Sequence, residues 1–298
     1  MNFRLFGVII IWYKTAGVLV VNRDVIIEKI IKCPVCESDV YVSEDRKSLF
    51  CKGQRRHCFD FSSDGYLSLS RQGTGDSKQA IAARKAFLSK DYYLPLADKL
   101  CEVARRYVTS GSVILDAGCG EGYYTNKLAE CFGFALGFDL SKFGVAAGAK
   151  AAKRQGTDNT FYATGSVFEL PVKDASVDCL VNIFAPCAES EYMRVLKDGG
   201  TLIVVGAGKN HLMGLKRALY DSTYENRERA DLPTNSELSE RLTMSFDIEV
   251  SGQSDVENLF SMTPYYWRTS ESDKEKLSGI EALKTEIEFE IYVYKKAQ

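Results

Sequence analysis

The stretch Val113-Ile114-Leu115-Asp116-Ala117-Gly118-Cys119-Gly120-Glu121-Gly122 decides the fold. Three apolar residues form a buried strand that ends in an acid, a glycine-rich turn follows, and a helix opens at Tyr123. Glycines at such a turn let the backbone approach a ligand at the carboxyl edge of a sheet. A dinucleotide fingerprint would require its third glycine at 123, which is tyrosine; here the glycines fall at 118, 120 and 122. That pattern suits S-adenosylmethionine (SAM), which has no pyrophosphate to hold. Asp139 closes the next apolar run, nineteen residues after Gly120, where a carboxylate can accept both ribose hydroxyls.

Working outward, the runs 113–115, 134–138, 161–162, 177–184 and 202–205 are apolar and rich in strand-forming residues. Helical patterns fall between them, among them 123–131 and 143–154. This alternation predicts an α/β fold with a mostly parallel sheet covered on both faces. Near the end, Ile287, Phe289, Ile291 and Val293 alternate with Glu286, Glu288, Glu290 and Tyr292, which predicts a half-exposed, antiparallel edge strand. Upstream, 78–88 and 93–108 read as helices, the second with Leu96, Leu100, Val103 and Ala104 on one face.

Nine cysteines accompany only two histidines among 298 residues. Cys33, Cys36, Cys51 and Cys58 crowd together beside His57, while the other five are scattered, as expected of small buried thiols in a reducing cytoplasm. Cys33-x2-Cys36-x14-Cys51-x5-His57 suits tetrahedral zinc, with Cys58 an alternative to His57 as fourth ligand. A closed four-ligand site leaves no position for a substrate, so its role is structural or in recognition. Arg46, Lys47, Lys52, Arg55 and Arg56 surround it. The formal charge of −2 gives no global basic field, but residues 1–110 carry 18 Lys/Arg against 12 Asp/Glu, and the remaining 188 carry 20 against 28. A basic front and an acidic body are compatible with an RNA clamp beside a catalytic domain.

Residues 1–32 hold two apolar runs separated by Lys14. The break leaves neither run long enough to span a membrane, and the segment lacks a signal peptide's unbroken core and cleavage site. It is read as an appendage, either strand-forming or an artefact of start-site assignment. The expected organisation is this extension (1–32), a zinc-binding RNA-recognition domain (33–70), a helical connector contributing to the SAM site (71–110) and a SAM-dependent methyltransferase domain (111–298).

The Cys/His unit, Phe59-Asp60…Gly65-Tyr66, Gly75-Asp76-Ser77, Ala83-Arg84…Phe87-Leu88, Tyr93-x-Pro95 and 116–125 together resemble the RlmA family of 23S rRNA (guanine-N1)-methyltransferases. So do Ala185-Pro186-Cys187, His211-Leu212-Met213 and Met262-Thr263-Pro264…Trp267-Arg268. The resemblance runs in order from about residue 33 to the end. It implies a class I, Rossmann-like SAM-dependent methyltransferase preceded by a small zinc-binding domain, acting on a guanine in a 23S rRNA hairpin. It further implies Cys33, Cys36, Cys51 and His57 as zinc ligands, and Tyr93, Gly120, Glu121 and His211 as SAM contacts beside Asp116, Gly118 and Asp139. The Cys-to-His spacing of five departs from the family's usual three, and residues 1–32 have no counterpart there.

Three readings compete with this one. Pro186-Cys187 matches the covalent nucleophile of cytosine-C5 methyltransferases, against which a small residue at a strand end is the plain alternative. A small-molecule methyltransferase whose zinc unit docks a partner would carry the same SAM motif, as would a SAM-binding regulator without catalysis. The sequence does not give the oligomeric state, though relatives suggest a homodimer; no membrane partner is expected.

Overall fold

The computed structural model describes residues 22–70, 75–226 and 233–297. The expectation for 1–21 lies outside these residues. Helix α1 (Arg23–Ile30) is capped by the Asn22 side chain, and Ile26, Ile27, Ile30 and the following Ile31 are buried. The chain then runs against residues 171–173: Lys32 N–H donates to the Pro171 carbonyl and Lys173 N–H to that of Ile30. Four short strands follow, β1 (Val40–Val42), β2 (Ser48–Cys51), β3 (Cys58–Asp60) and β4 (Leu67–Ser68). The first three form an antiparallel sheet of their own.

The helices α2 (Lys78–Leu88) and α3 (Leu94–Ala104) come next, the first capped by Ser77 and the second opened by Pro95. Helix α3 is shorter than the periodicity predicted. The alternating part comprises β5 (Val113–Ala117), α4 (Tyr123–Cys131), β6 (Phe134–Asp139), α5 (Lys142–Gln155), β7 (Thr160–Thr164), β8 (Val177–Ile183), α6 (Glu189–Val195), β9 (Leu196–Ala207) and α7 (Met213–Leu219). It closes with β10 (Ser236–Ser251), α8 (Gln253–Ser261), α9 (Glu271–Glu275) and β11 (Ala282–Lys296).

One sheet of eight strands has the order β10-β11-β9-β8-β5-β6-β7-β4. Strands β5 to β9 pair in parallel, β4 adds in parallel to β7, and β11 runs antiparallel between β9 and β10. The α/β class and parallel core are as expected. The edge assignment of β11 is corrected: β10, a strand the sequence reading did not identify, lies outside it. The glutamates read as a solvent face are instead engaged. Glu290 is buried and accepts from Arg241 and Thr243 of β10, while Glu286 and Glu288 accept from residues around α7.

On one face of the sheet, Leu136, Phe138, Phe161 and Val172 share a single core with Ile27, Ile31, Cys33, Val40, Leu49 and Leu67. The Cys/His unit is therefore packed onto the sheet. On the other face, α3, α4, α7 and α8 bury Leu96, Leu100, Leu128, Leu215 and Leu259 against Ile114, Val181, Ile203 and Ile291. Among the described residues no helix is long and apolar enough to cross a membrane.

Because Ile27 is fully buried, Ile27→Ala should destabilise the protein by about 2–5 kcal/mol in urea unfolding. A loss below about 0.5 kcal/mol, the range of neutral surface changes, would mean that α1 is not part of the folded body.

Candidate cofactor cavity and metal centre

Strands β5 and β8 are central neighbours, and their carboxyl ends open into a cavity of about 1290 Å³. Such a crevice is where ligands bind in open α/β sheets. All seven residues expected at a SAM site line it: Tyr93, Asp116, Gly118, Gly120, Glu121, Asp139 and His211.

The turn after β5 has this shape because its glycines allow it. Gly118, Gly120 and Gly122 all have left-handed φ, +86°, +54° and +79°. A Cβ on Gly118 would sit 2.4 Å from the Ala185 Cβ, and one on Gly122 would sit 2.6 Å from the Tyr162 hydroxyl. The bare backbone of Gly120 donates its N–H to Asp139 Oδ2 at 3.0 Å, and Ser141 N–H donates to Oδ1 at 2.7 Å. Asp139 thus ties the turn to the start of α5.

Three acids share this pocket. Asp116 is 2% exposed and accepts from the Thr125 hydroxyl at 2.6 Å, but its Oδ1 has no hydrogen-bond partner. Glu121 is also buried; its Oε2 lacks a hydrogen bond and lies 3.9 Å from Arg84, which itself pairs with Asp76 at 2.7 Å. Burial pushes Asp116 up to about 7 despite the Thr125 bond, and pushes Glu121 up to about 7 against the pull of Arg84. Burial raises Asp139 as well.

Across the cavity, Tyr93 is packed edge-on against Phe87 and Phe289, and its hydroxyl lies 3.4 Å from His211 Nε2. Glu288 N–H donates to His211 Nδ1 at 3.2 Å, so Nδ1 carries no proton. Burial, reinforced by Lys216, pushes His211 down to about 3, leaving a neutral ring whose Nε2–H faces the Tyr93 oxygen. Burial raises the Tyr93 phenol far above its ordinary range, so it too is neutral and its own proton is free for an acceptor in the cavity. Orphaned carboxylate oxygens on one wall and neutral donors on the other suit a ligand with cationic and hydroxyl groups, which SAM is.

Arg84, Phe184 and Trp267 also line the cavity. The sequence reading assigned them no role, although Arg84 and Trp267 stood within its quoted motifs. Cys187 is not among the lining residues and packs instead against the core under β8 and α6, so the geometry gives no support to a covalent cytosine-C5 route.

The second site is the Cys/His cluster. The ligand atoms of Cys33, Cys36, Cys51 and His57 all lie within 4.8 Å of one another. His57 Nδ1 is 3.5 Å from both Cys33 Sγ and Cys36 Sγ, and Cys36 Sγ is 3.3 Å from Cys51 Sγ. Val35 N–H points to Cys33 Sγ at 3.4 Å and Gly53 N–H to Cys51 Sγ at 3.1 Å, the backbone donors that thiolate ligands need. A Cβ on Gly53 would press on Ser38 Oγ at 2.8 Å and on both Cys36 and Cys51 Sγ at 3.1 Å, so a side chain here would disturb the cluster. Cys58 is exposed and turned toward Asp60 at 3.6 Å, away from the cluster. Three sulfurs and one imidazole at these separations fit tetrahedral zinc.

A family model described as a methyltransferase domain matches residues 108–260. The chain is 34% identical over 197 residues to a 23S rRNA (guanine(748)-N(1))-methyltransferase of Streptomyces fradiae, covering 63% of this chain and 67% of that one. It is 30% identical over 270 residues to the Bacillus subtilis protein YxjB, which carries the name 23S rRNA (guanine-N(1)-)-methyltransferase, covering 85% of this chain and 92% of YxjB. A Micromonospora griseorubida protein with the same name is 28% identical over 269 residues, 80% and 87% of the two chains. With the methyltransferase domain matched over half its length and both ends of the site in place, the chain belongs to the family of 23S rRNA (guanine-N1)-methyltransferases.

Proposed function

We propose that this protein methylates N1 of a guanine in a 23S rRNA hairpin, with SAM in the β5–β8 cavity and zinc in the Cys33–Cys36–Cys51–His57 cluster. The observation that carries the reading is the set of buried, under-bonded carboxylates facing a neutral Tyr93–His211 pair across one cavity, in a chain with these relatives. When bound, SAM supplies a methyl group on a sulfonium, a leaving group that needs no protonation.

The chain's task is then alignment and proton handling. Asp139, fixed by Gly120 and Ser141, presents lone pairs for ribose hydroxyls. Asp116 and Glu121 supply negative charge toward a cation, and Tyr93 donates its free phenolic proton to a carboxylate. Asn182 holds the turn after β8 by donating to the Tyr192 hydroxyl at 2.8 Å and the Pro186 carbonyl at 3.0 Å. Guanine N1 must lose a proton as it is methylated. Two kinds of acceptor border the cavity, the Asp116 carboxylate and the carbonyls of 182–185.

The Cys/His unit is the natural clamp for the rest of the RNA. Lys52, Arg55 and Arg56 are exposed around it and form no ion pair among the described residues, Arg56 donating only to the Tyr41 hydroxyl at 3.4 Å, so their charges can meet phosphates. Nine unpaired cysteines support a cytoplasmic location. A homodimer belongs to the same reading.

Incubation with labelled SAM and unmodified 23S rRNA, followed by mapping, should place one methyl on N1 of a hairpin guanine. Transfer only to small molecules, or to no RNA, would overturn the reading. SAM affinity should fall as pH drops through about 7, by up to about tenfold per unit for each acid, because Asp116 and Glu121 must ionise to meet a cation. Calorimetry that finds a flat profile from pH 6 to 8 would contradict that role. Elemental analysis should find one zinc per chain. Cys36→Ala should lose it and weaken hairpin binding at least tenfold while SAM affinity stays within twofold; retained zinc and RNA binding would remove the clamp assignment.

A further inference from the structure

Four large rings that a folded chain ordinarily hides stand exposed around one opening. Phe168 is 63% exposed, Phe184 47%, Tyr224 52% and Trp267 75%, and all four line the cavity. Elsewhere among the described residues only Phe143 and Leu238 are comparably exposed large apolar side chains. The four rings come from separate segments, after β7, β8, α7 and α8, so no single amphipathic element accounts for them.

Phe184 is the most informative. Its φ is +55°, a left-handed conformation that is a genuine outlier for a bulky residue. A hydrogen bond from its N–H to the Val205 carbonyl at 3.1 Å holds the strained turn. The ring lies nearly parallel to His211, at 6.2 Å and 24°, and leans on Phe289 at 5.5 Å. It is therefore backed by neighbours yet open to the cavity, directly beside Ala185, which caps Gly118 of the cofactor turn. Burial does not explain a strained backbone that presents half an aromatic ring to solvent. Such outliers persist where a particular presentation matters.

A guanine whose N1 is to be reached must leave its base pair and stack, and then offers two bare π faces. Aromatic side chains meet those faces irrespective of base sequence. We propose that Phe184 is the platform on which the target guanine stacks beside the cofactor turn, and that Trp267 stacks an adjacent nucleotide at the rim. This rests on the guanine-N1 reading above and adds the residues that position its substrate.

The test uses the full chain, SAM and a 23S rRNA hairpin transcript. Phe184→Leu keeps apolar bulk without the π face and should lower kcat/KM about 10- to 100-fold, with SAM Kd unchanged within twofold. Phe184→Gly should lose as much activity while Tm holds or rises, because glycine relieves the left-handed residue. Phe184→Trp should restore most of the rate, and Trp267→Ala should raise KM more than it lowers kcat. Wild-type rates in Phe184→Leu would overturn the proposal, as would a loss matched by equal losses in SAM affinity and Tm. If the wild-type chain methylates guanine N1 and Phe184→Leu does so equally, only the stacking proposal fails. If the wild type methylates no hairpin, the guanine-N1 reading fails and the stacking proposal with it.

Discussion

Three carboxyl groups gathered at the end of one sheet, two of them buried and the third partly so, govern the rest of this structure. Asp116 is the penultimate residue of β5, Glu121 sits in the following turn, and Asp139 ends the neighbouring strand β6. Each loses hydration by its placement, and the local bonds from Thr125, Gly120 and Ser141 return only part of it. An apolar replacement would pack this edge at lower cost. The arrangement is intelligible as preparation for a ligand that brings cationic and hydroxyl groups. The glycine turn and the neutral Tyr93–His211 pair let the acids stay close to a ligand without adding charge, and Arg84 is the cation that offsets Glu121.

Much of this was legible in the sequence because local rules decide it. Helices 78–88 and 123–131 have the predicted bounds, since Ser77 and Gly122 set their starts. Asp116 and Asp139 are expected at a cofactor site from the glycine-rich turn, the strand ends and the nineteen-residue spacing, and both line the cavity. The Cys/His cluster is visible in its spacing. Which of His57 and Cys58 turns inward was not, because that depends on the alternation of β3, which starts at Cys58 and sends that side chain out.

The missed features have tertiary causes. In β10 the alternation is present, but its outer residues are polar or charged and its inner ones, Val250 apart, only partly buried, so no apolar run marks it. The glutamates of β11 looked like a solvent face; they are satisfied by β10 and by the segments flanking α7, partners far off in sequence. Phe184 gives no sequence signal either, since a left-handed φ and an open ring are properties of the assembled turn. Helix α1 was set aside with the apolar extension because its isoleucines find their core only in the folded body, against residues 171–173.

Methyl transfer depends on where the cofactor and base lie relative to these acids and rings. A crystal structure of the full chain with S-adenosylhomocysteine and a 23S rRNA hairpin measures that directly. It should place the ribose hydroxyls within about 3 Å of Asp139, the amino-acid end of the cofactor between Asp116, Glu121 and Tyr93, and guanine N1 facing the sulfur. A cofactor whose ribose lies away from Asp139, or a guanine bound outside the β5–β8 cavity, would contradict it.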